Sequence, residues 1–265
     1  MRKENSSELP LPDVYGICRQ TIIPLYRKPT FDSALVTQLL FGECYQVKAI
    51  TADQNWWKIF HEDTGISGWI SSKSVKNIPK ADYSNFLNQD YQVVTSPIAA
   101  IEYLGNNLYL VPGSRLHFSE IELFNWKDHI GFTGEIRSHA IKADRVELTE
   151  IALKYIHAPY QAGGRSIFGL DEKLGFGLII SIAGYPYNSQ KIPGRTIDPE
   201  EILPGDLLIF KTLESNESFY AFYLGEEKVL WMDNKMRVTD IGDWTKYIHN
   251  NTTGEVVLMT RSIVG

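Results

Sequence analysis

Between residues 14 and 78 short apolar runs recur between turn signals, and this pattern constrains the possible folds more than any other feature of the chain. The runs are Ile17–Leu25, Leu35–Leu40, Tyr45–Ile50, Trp56–His61 and Gly68–Ile70. Within Tyr45-Gln46-Val47-Lys48-Ala49-Ile50 apolar and polar residues alternate, which is the period of a half-buried strand. Asp32-Ser33, Phe41-Gly42-Glu43, Asp53-Gln54-Asn55 and Thr64-Gly65 supply the turns. About five strands of this size, with Trp69 near the end, suit a small barrel, which closes to remove its edges. Trp56 and Trp57 are neighbours on one strand and therefore point to opposite faces, so one is expected in the core and one outside.

Pro79–Asp90 is polar with weak periodicity and reads as a link. Strand-length runs then resume at Tyr91–Thr95, Ile98–Tyr103, Tyr109–Val111, Arg115–Phe118 and Phe132–Arg137, a second β-module. From Val146 the texture changes. Leu148, Ile151, Ala152 and Tyr155 form a helical stripe, and Ala158–Gly164 is rich in breakers. Leu178–Ala183 is apolar and stops at Gly184 and Pro186, and strands follow at Leu207–Phe210, Phe219–Leu224, Lys228–Met232, Arg237–Asp240 and Val256–Thr260. Helices first and an antiparallel sheet afterwards make this part α+β. The expected division is therefore 14–78, 79–145 and 146–265.

Several classes of function are disfavoured. With 26 basic and 32 acidic residues the net charge is −6, which argues against nucleic acid or an anionic membrane as the main partner. No apolar run reaches transmembrane length. The N-terminus, MRKENSSELPLPD, carries no apolar stretch of the signal-peptide kind, so the expectation is cytoplasmic as written, or periplasmic or cell-surface if a leader has been trimmed. Cys18 and Cys44 are too few for a disulfide framework or a thiolate metal site. The six histidines are scattered, and no phosphate loop or dinucleotide fingerprint is present, so no cofactor or metal is expected.

The first module resembles the bacterial SH3-like domain that precedes many cell-wall peptidases, on Tyr15-Gly16-Ile17-Cys18, Ile23-Pro24-Leu25, Gln38–Glu43 and Gly68-Trp69-Ile70. Residues 146–265 resemble the NlpC-type domain of the NlpC/p60 family, on Ala158-Pro159-Tyr160, Gly163–Ser166, Phe168–Asp171, Leu203–Leu207 and Tyr223-Leu224-Gly225. The resemblance implies two all-β SH3-like barrels followed by an α+β papain-like domain. In this architecture it is similar to γ-D-glutamyl-L-diamino acid endopeptidases (dipeptidyl-peptidase VI type), which cut peptidoglycan stem peptides with a cysteine thiolate at a helix N-terminus and a neighbouring histidine.

The chemistry-bearing positions of that family are occupied differently here. Against the pattern Phe-Gly-Ile-Asp-Cys-Ser-Gly-Phe, Glu172 stands at the nucleophile position, or Lys173 if one residue is inserted. Phe219 aligns with the catalytic histidine and Trp231 with the orienting one. Carboxylates attack amides poorly, and neither aromatic ring can relay a proton. The resemblance thus implies a pseudoenzyme whose ligand is a muropeptide or a protein partner. Asp171 matches an aspartate that binds the peptide's free amine in relatives, and Tyr160 and Arg165 are further candidates for the cleft. Two alternatives stay open: an active peptidase with an unrecognised nucleophile, and a structural protein whose cleft is plugged by Phe219 and Trp231.

Overall fold

Among the described residues up to Ile78 seven strands form: β1 (Leu9–Ile17), β2 (Ile22–Tyr26), β3 (Leu35–Leu40), β4 (Cys44–Ile50), β5 (Trp56–His61), β6 (Ile66–Ser71) and β7 (Asn77–Ile78). The computed structural model describes residues 9–103, 105–117, 131–189, 191, 194–214, 217–252 and 255–264. Phe118, expected at a strand end, and most of the N-terminal stretch examined for a leader lie outside them. Contacts divide the chain into two compact units, residues 1–140 with 163–165, and residues 141–162 with 166–265. Among the described residues no helix is long and apolar enough to cross a membrane.

In the first unit the strands pair antiparallel in the order β3-β2-β6-β5-β4-β1-β7. The alternation seen in the sequence is realised in β4, where Tyr45, Val47 and Ala49 are buried and Lys48 is exposed. Cys18, Ile23, Leu25, Leu39, Tyr45, Val47, Ile59 and Ile70 form the core, and Trp57 packs onto it. Trp56 instead meets Tyr26 and Phe31 in ring contacts of 5.8 and 4.8 Å. Both cysteines are free and buried, and burial pushes their thiols upward, that of Cys44 to about 12.

The segment expected to be a link is a helix, α1 (Lys80–Asn88). Tyr83 and Phe86, one turn apart, pack into a cluster with Tyr15, Ile17, Cys44 and Ile78. Two apolar anchors on nine residues leave little periodicity for a sequence reading to detect. Beyond it lie β8 (Tyr91–Val94), β9 (Ala99–Tyr103), β10 (Asn106–Leu110), β11 (Arg115–His117), β12 (Phe132–Thr133) and β13 (Ile136–Ser138), in two three-stranded sheets, β10-β9-β12 and β11-β8-β13. Their core takes in Phe41 from the β3–β4 turn together with Val94, Ile101, Leu110 and Leu116. The expected boundary at 78/79 is therefore not a boundary between compact units, because an aromatic ring from one side fills the core of the other. The turn that delivers Phe41 needs glycine next: Gly42 has φ +83°, and a Cβ there would lie 2.1 Å from the Arg115 carbonyl oxygen.

The second unit holds α2 (Arg145–Leu153), β14 (Arg165–Ser166, of which only Ser166 belongs here), β15 (Gly169–Leu170), α3 (Glu172–Ile182), β16 (Arg195–Thr196), β17 (Leu207–Thr212), β18 (Ser218–Gly225), β19 (Lys228–Met232), β20 (Met236–Asp240), α4 (Ile241–Asn251) and β21 (Val256–Ser262). Its six-stranded antiparallel sheet runs β16-β21-β17-β18-β19-β20. Because side chains alternate across a strand, β18 sends Tyr220 and Phe222 toward Phe176 of α3, and Phe219, Ala221 and Tyr223 into a core with Trp231 and Trp244. Helix α4 covers that second face with Trp244 and Ile248. Asp206, fully buried, accepts from Arg145 Nη1 at 2.7 Å and from the Leu203 N–H at 2.8 Å.

Candidate functional site

The head of α3 is set by its cap. Asp171 is extended at the N-cap, and its carboxylate accepts the Leu174 N–H at 3.2 Å, which fills one of the donors a helix start leaves unmet. The next residue, Glu172, turns across to strand β18, where its Oε1 accepts the Tyr220 N–H at 2.8 Å. The paired register of β18 with β19 begins one residue later, at Ala221 and Trp231. Glu172 thus satisfies a strand donor next to the start of that ladder.

Around this contact lies an open cavity of about 260 Å³, lined by Tyr160, Asp171, Glu172, Lys173, Ser218 and Tyr220. Tyr160 reaches it from the segment before α3 and is held by its own N–H, which donates to Asn234 O at 2.9 Å. Its ring is half-exposed, whereas Tyr220 is buried. An apolar slot of about 10 Å³ adjoins the cavity, sharing Lys173 and Tyr220 and floored by Phe176, Ile180 and Leu207. A slot of that volume has room for about one water-sized group.

Burial and the neighbouring charge perturb the carboxyl at this site. Loss of hydration pushes Glu172 up to about 8; the Tyr220 N–H opposes the shift and the charge of Asp171 adds to it. The Tyr160 and Tyr220 hydroxyls are likewise raised, by burial first and by the two acidic residues after it. Among the described residues no thiol and no imidazole lines the cavity. Both cysteines belong to the first unit, and of the second unit's histidines His157 sits in a turn at φ +70° and His249 on α4.

The structure brings together three of the residues named from sequence, Tyr160, Asp171 and Glu172, and also Lys173, the alternative occupant. It separates the others. Phe219 and Trp231 pack on the opposite face of the sheet with Trp244, so they do not fill the space beside Glu172; Tyr220, one residue on from Phe219, faces it. A shift of one residue along a strand exchanges the two faces, so a motif position read from order along the chain does not fix which face its side chain takes. Ser218 and Tyr220 were missed for the same reason, and their i, i+2 spacing was the available signal.

Arg165 is also placed differently from the expectation. It belongs to the first unit, buried, with its guanidinium on both Glu43 oxygens at 3.0 and 2.9 Å and on Gln38 O at 2.8 Å. Glu43 is buried, and such a carboxylate requires a forked cation of this kind. Desolvation opposes its ionisation, but Arg165, His61 and Arg115 together hold it below the usual carboxylate range. Donor atoms of Glu43, His61 and Asp63 lie close enough to hold an ion. However, Arg165 and Arg115 already meet the two carboxylates, Arg115 reaching Asp63 at 2.6 Å. A divalent cation would add two charges to a cluster already balanced, so no metal is assigned to it.

Comparison with known proteins agrees with this description. Residues 25–75 match the bacterial dipeptidyl-peptidase SH3 domain. No curated protein matches the chain significantly. Among solved structures, an NlpC/P60 family protein from Bacillus cereus ATCC 10987 is similar at a TM-score of 0.70 and 17% identity, over 95% of this chain and 100% of that one. An NlpC/P60 endopeptidase from Photobacterium damselae subsp. piscicida gives 0.68 at 14% identity, over 94% of this chain and 73% of that one. The N-terminal region is SH3-like and β-rich, and the chain has an NlpC/P60-like fold.

Proposed function

We propose that the cavity at the head of α3 binds a peptide of the peptidoglycan stem type through its free amine and does not cut it. The observation that carries this reading is the occupant of the helix head: a carboxyl, Glu172, hydrogen-bonded to the Tyr220 backbone, in a cavity without thiol or imidazole. Attack on an amide needs an activated nucleophile with a base beside it. A neutral or tethered carboxyl meets neither requirement. What the cavity keeps is Asp171, whose charge complements an ammonium group, with the hydroxyls of Tyr160, Ser218 and Tyr220 as further partners. The likeness in fold to an NlpC/P60 endopeptidase and the match to a dipeptidyl-peptidase SH3 domain support the choice of a cell-wall peptide as ligand.

The reading of a plugged scaffold is less well supported, because the cavity is open and the two aromatic residues expected to fill it pack elsewhere. Calorimetric titration with L-Ala-γ-D-Glu-diamino-acid peptide tests the proposal. Saturable heat that is lost in Asp171→Asn supports it. Absence of saturable binding favours a protein partner over a muropeptide.

A further inference from the structure

We infer that Glu172 is a proton gate on the binding cavity: ionised, it is a second carboxylate for the ligand's amine, and protonated, it leaves Asp171 to hold that amine alone. This rests on the amine-binding reading above and concerns its regulation. Geometry supplies the first part of the argument. Asp171 and Glu172 are consecutive, yet both line the same cavity, because the N-cap residue is extended and the helix begins after it. The Tyr220 N–H fixes Glu172 Oε1, so the carboxyl is held at the cavity wall rather than swinging into solvent.

Among the described residues, few groups line the cavity with Glu172. Asp171 and Lys173 come from its own segment, Tyr160 from the chain before it, and Ser218 and Tyr220 from β18. Lys173 is exposed, and among the described charged groups Asp171 alone contributes to the shift, in the direction that keeps the proton on Glu172. With the carboxyl half-ionised near pH 8, about a tenth of it is ionised at pH 7 and about a quarter at pH 7.5. Ammonium binding favours the ionised form, so by linkage ionisation favours ammonium binding. A coupling of one pH unit, which is tenfold, makes binding about threefold tighter at pH 7.5 than at pH 5.5.

The test is calorimetric titration of L-Ala-γ-D-Glu-diamino-acid peptide into the wild-type protein and E172Q, at pH 5.5 and 7.5. The peptide's own α-amine begins to titrate near the upper value, but the ratio of the two affinities cancels that effect. The ratio of wild-type to E172Q affinity is expected to rise about threefold between the two pH values. Saturable binding with a ratio independent of pH overturns the gate and leaves the binding reading standing. No saturable heat from either protein at either pH overturns both. A ¹³C titration of the Glu172 carboxyl in the wild-type protein checks the gate without a variant: saturating peptide should move its midpoint down by about one unit, and an unmoved midpoint counts against the gate.

Discussion

Replacing Glu172 with glutamine should make the protein more stable in alkaline solution, although the substitution touches a partly buried hydrogen bond. In the folded chain this carboxyl is raised from 4.5 to about 8, chiefly by burial. An acid raised on folding favours the protonated fold. Its contribution is fully present below pH 4.5, is lost as pH rises toward 8, and is a fixed cost above that. A shift of about 3.5 units at 1.36 kcal/mol each sets a ceiling of roughly 5 kcal/mol. Partial contact with solvent screens the charge, so an expectation of about 2–3 kcal/mol at pH 9 is reasonable. Glutamine carries no charge and keeps an oxygen for the Tyr220 N–H. Urea unfolding of both proteins at pH 5, 7 and 9, followed by circular dichroism, reads the difference. The variant should gain steadily on the wild type as pH rises. A difference that does not change with pH would refute the burial argument, as would a wild type that gains on the variant.

Other perturbations follow from the same geometry. Glu43→Ala leaves Arg165 and Arg115 buried without their shared carboxylate and should cost about 3–5 kcal/mol in denaturant unfolding; an effect under 1 kcal/mol would remove the cluster from the stability of the first unit. His117 is buried and lowered to about 4, mainly by desolvation, so the fold should weaken as pH falls from 6.5 toward 4, by at most about 3 kcal/mol from this group. That loss should shrink in His117→Gln, and an unchanged acid limb would contradict it. Gly42→Ala places a methyl carbon on the Arg115 carbonyl in a left-handed turn and should lower the melting temperature by several degrees; no shift would mean that the β3–β4 turn can relax.

How far the sequence foretold these features depended on whether the information was local. Alternation in Tyr45–Ile50 and the stop at Gly184 are local signals, and each appears in the fold. Tyr160, Asp171 and Glu172 were found by motif order and share one cavity. Arg165 was misassigned because its partner Glu43 is 122 residues away, and no local signal links the two. Phe219 and Trp231 were expected to fill the cleft and pack instead in the core with Trp244, because motif order gives a position along a strand, whereas the face depends on a parity that one residue reverses. Helix α1 was hidden by having two anchors, and α4 by polar residues between Ile241, Trp244 and Ile248, whose i, i+3, i+7 spacing was nonetheless present.

At the centre lies the claim that a carboxyl at the head of α3, in a cavity with no thiol or imidazole, binds peptide without cleaving it. Mass spectrometry of L-Ala-γ-D-Glu-diamino-acid peptide after prolonged incubation with the protein at neutral pH decides it. The peptide should be recovered whole at every time point. Accumulation of the dipeptide and the free diamino acid in proportion to protein concentration, persisting in a Cys18→Ala, Cys44→Ala double variant, would contradict the claim and reveal a nucleophile in the cavity.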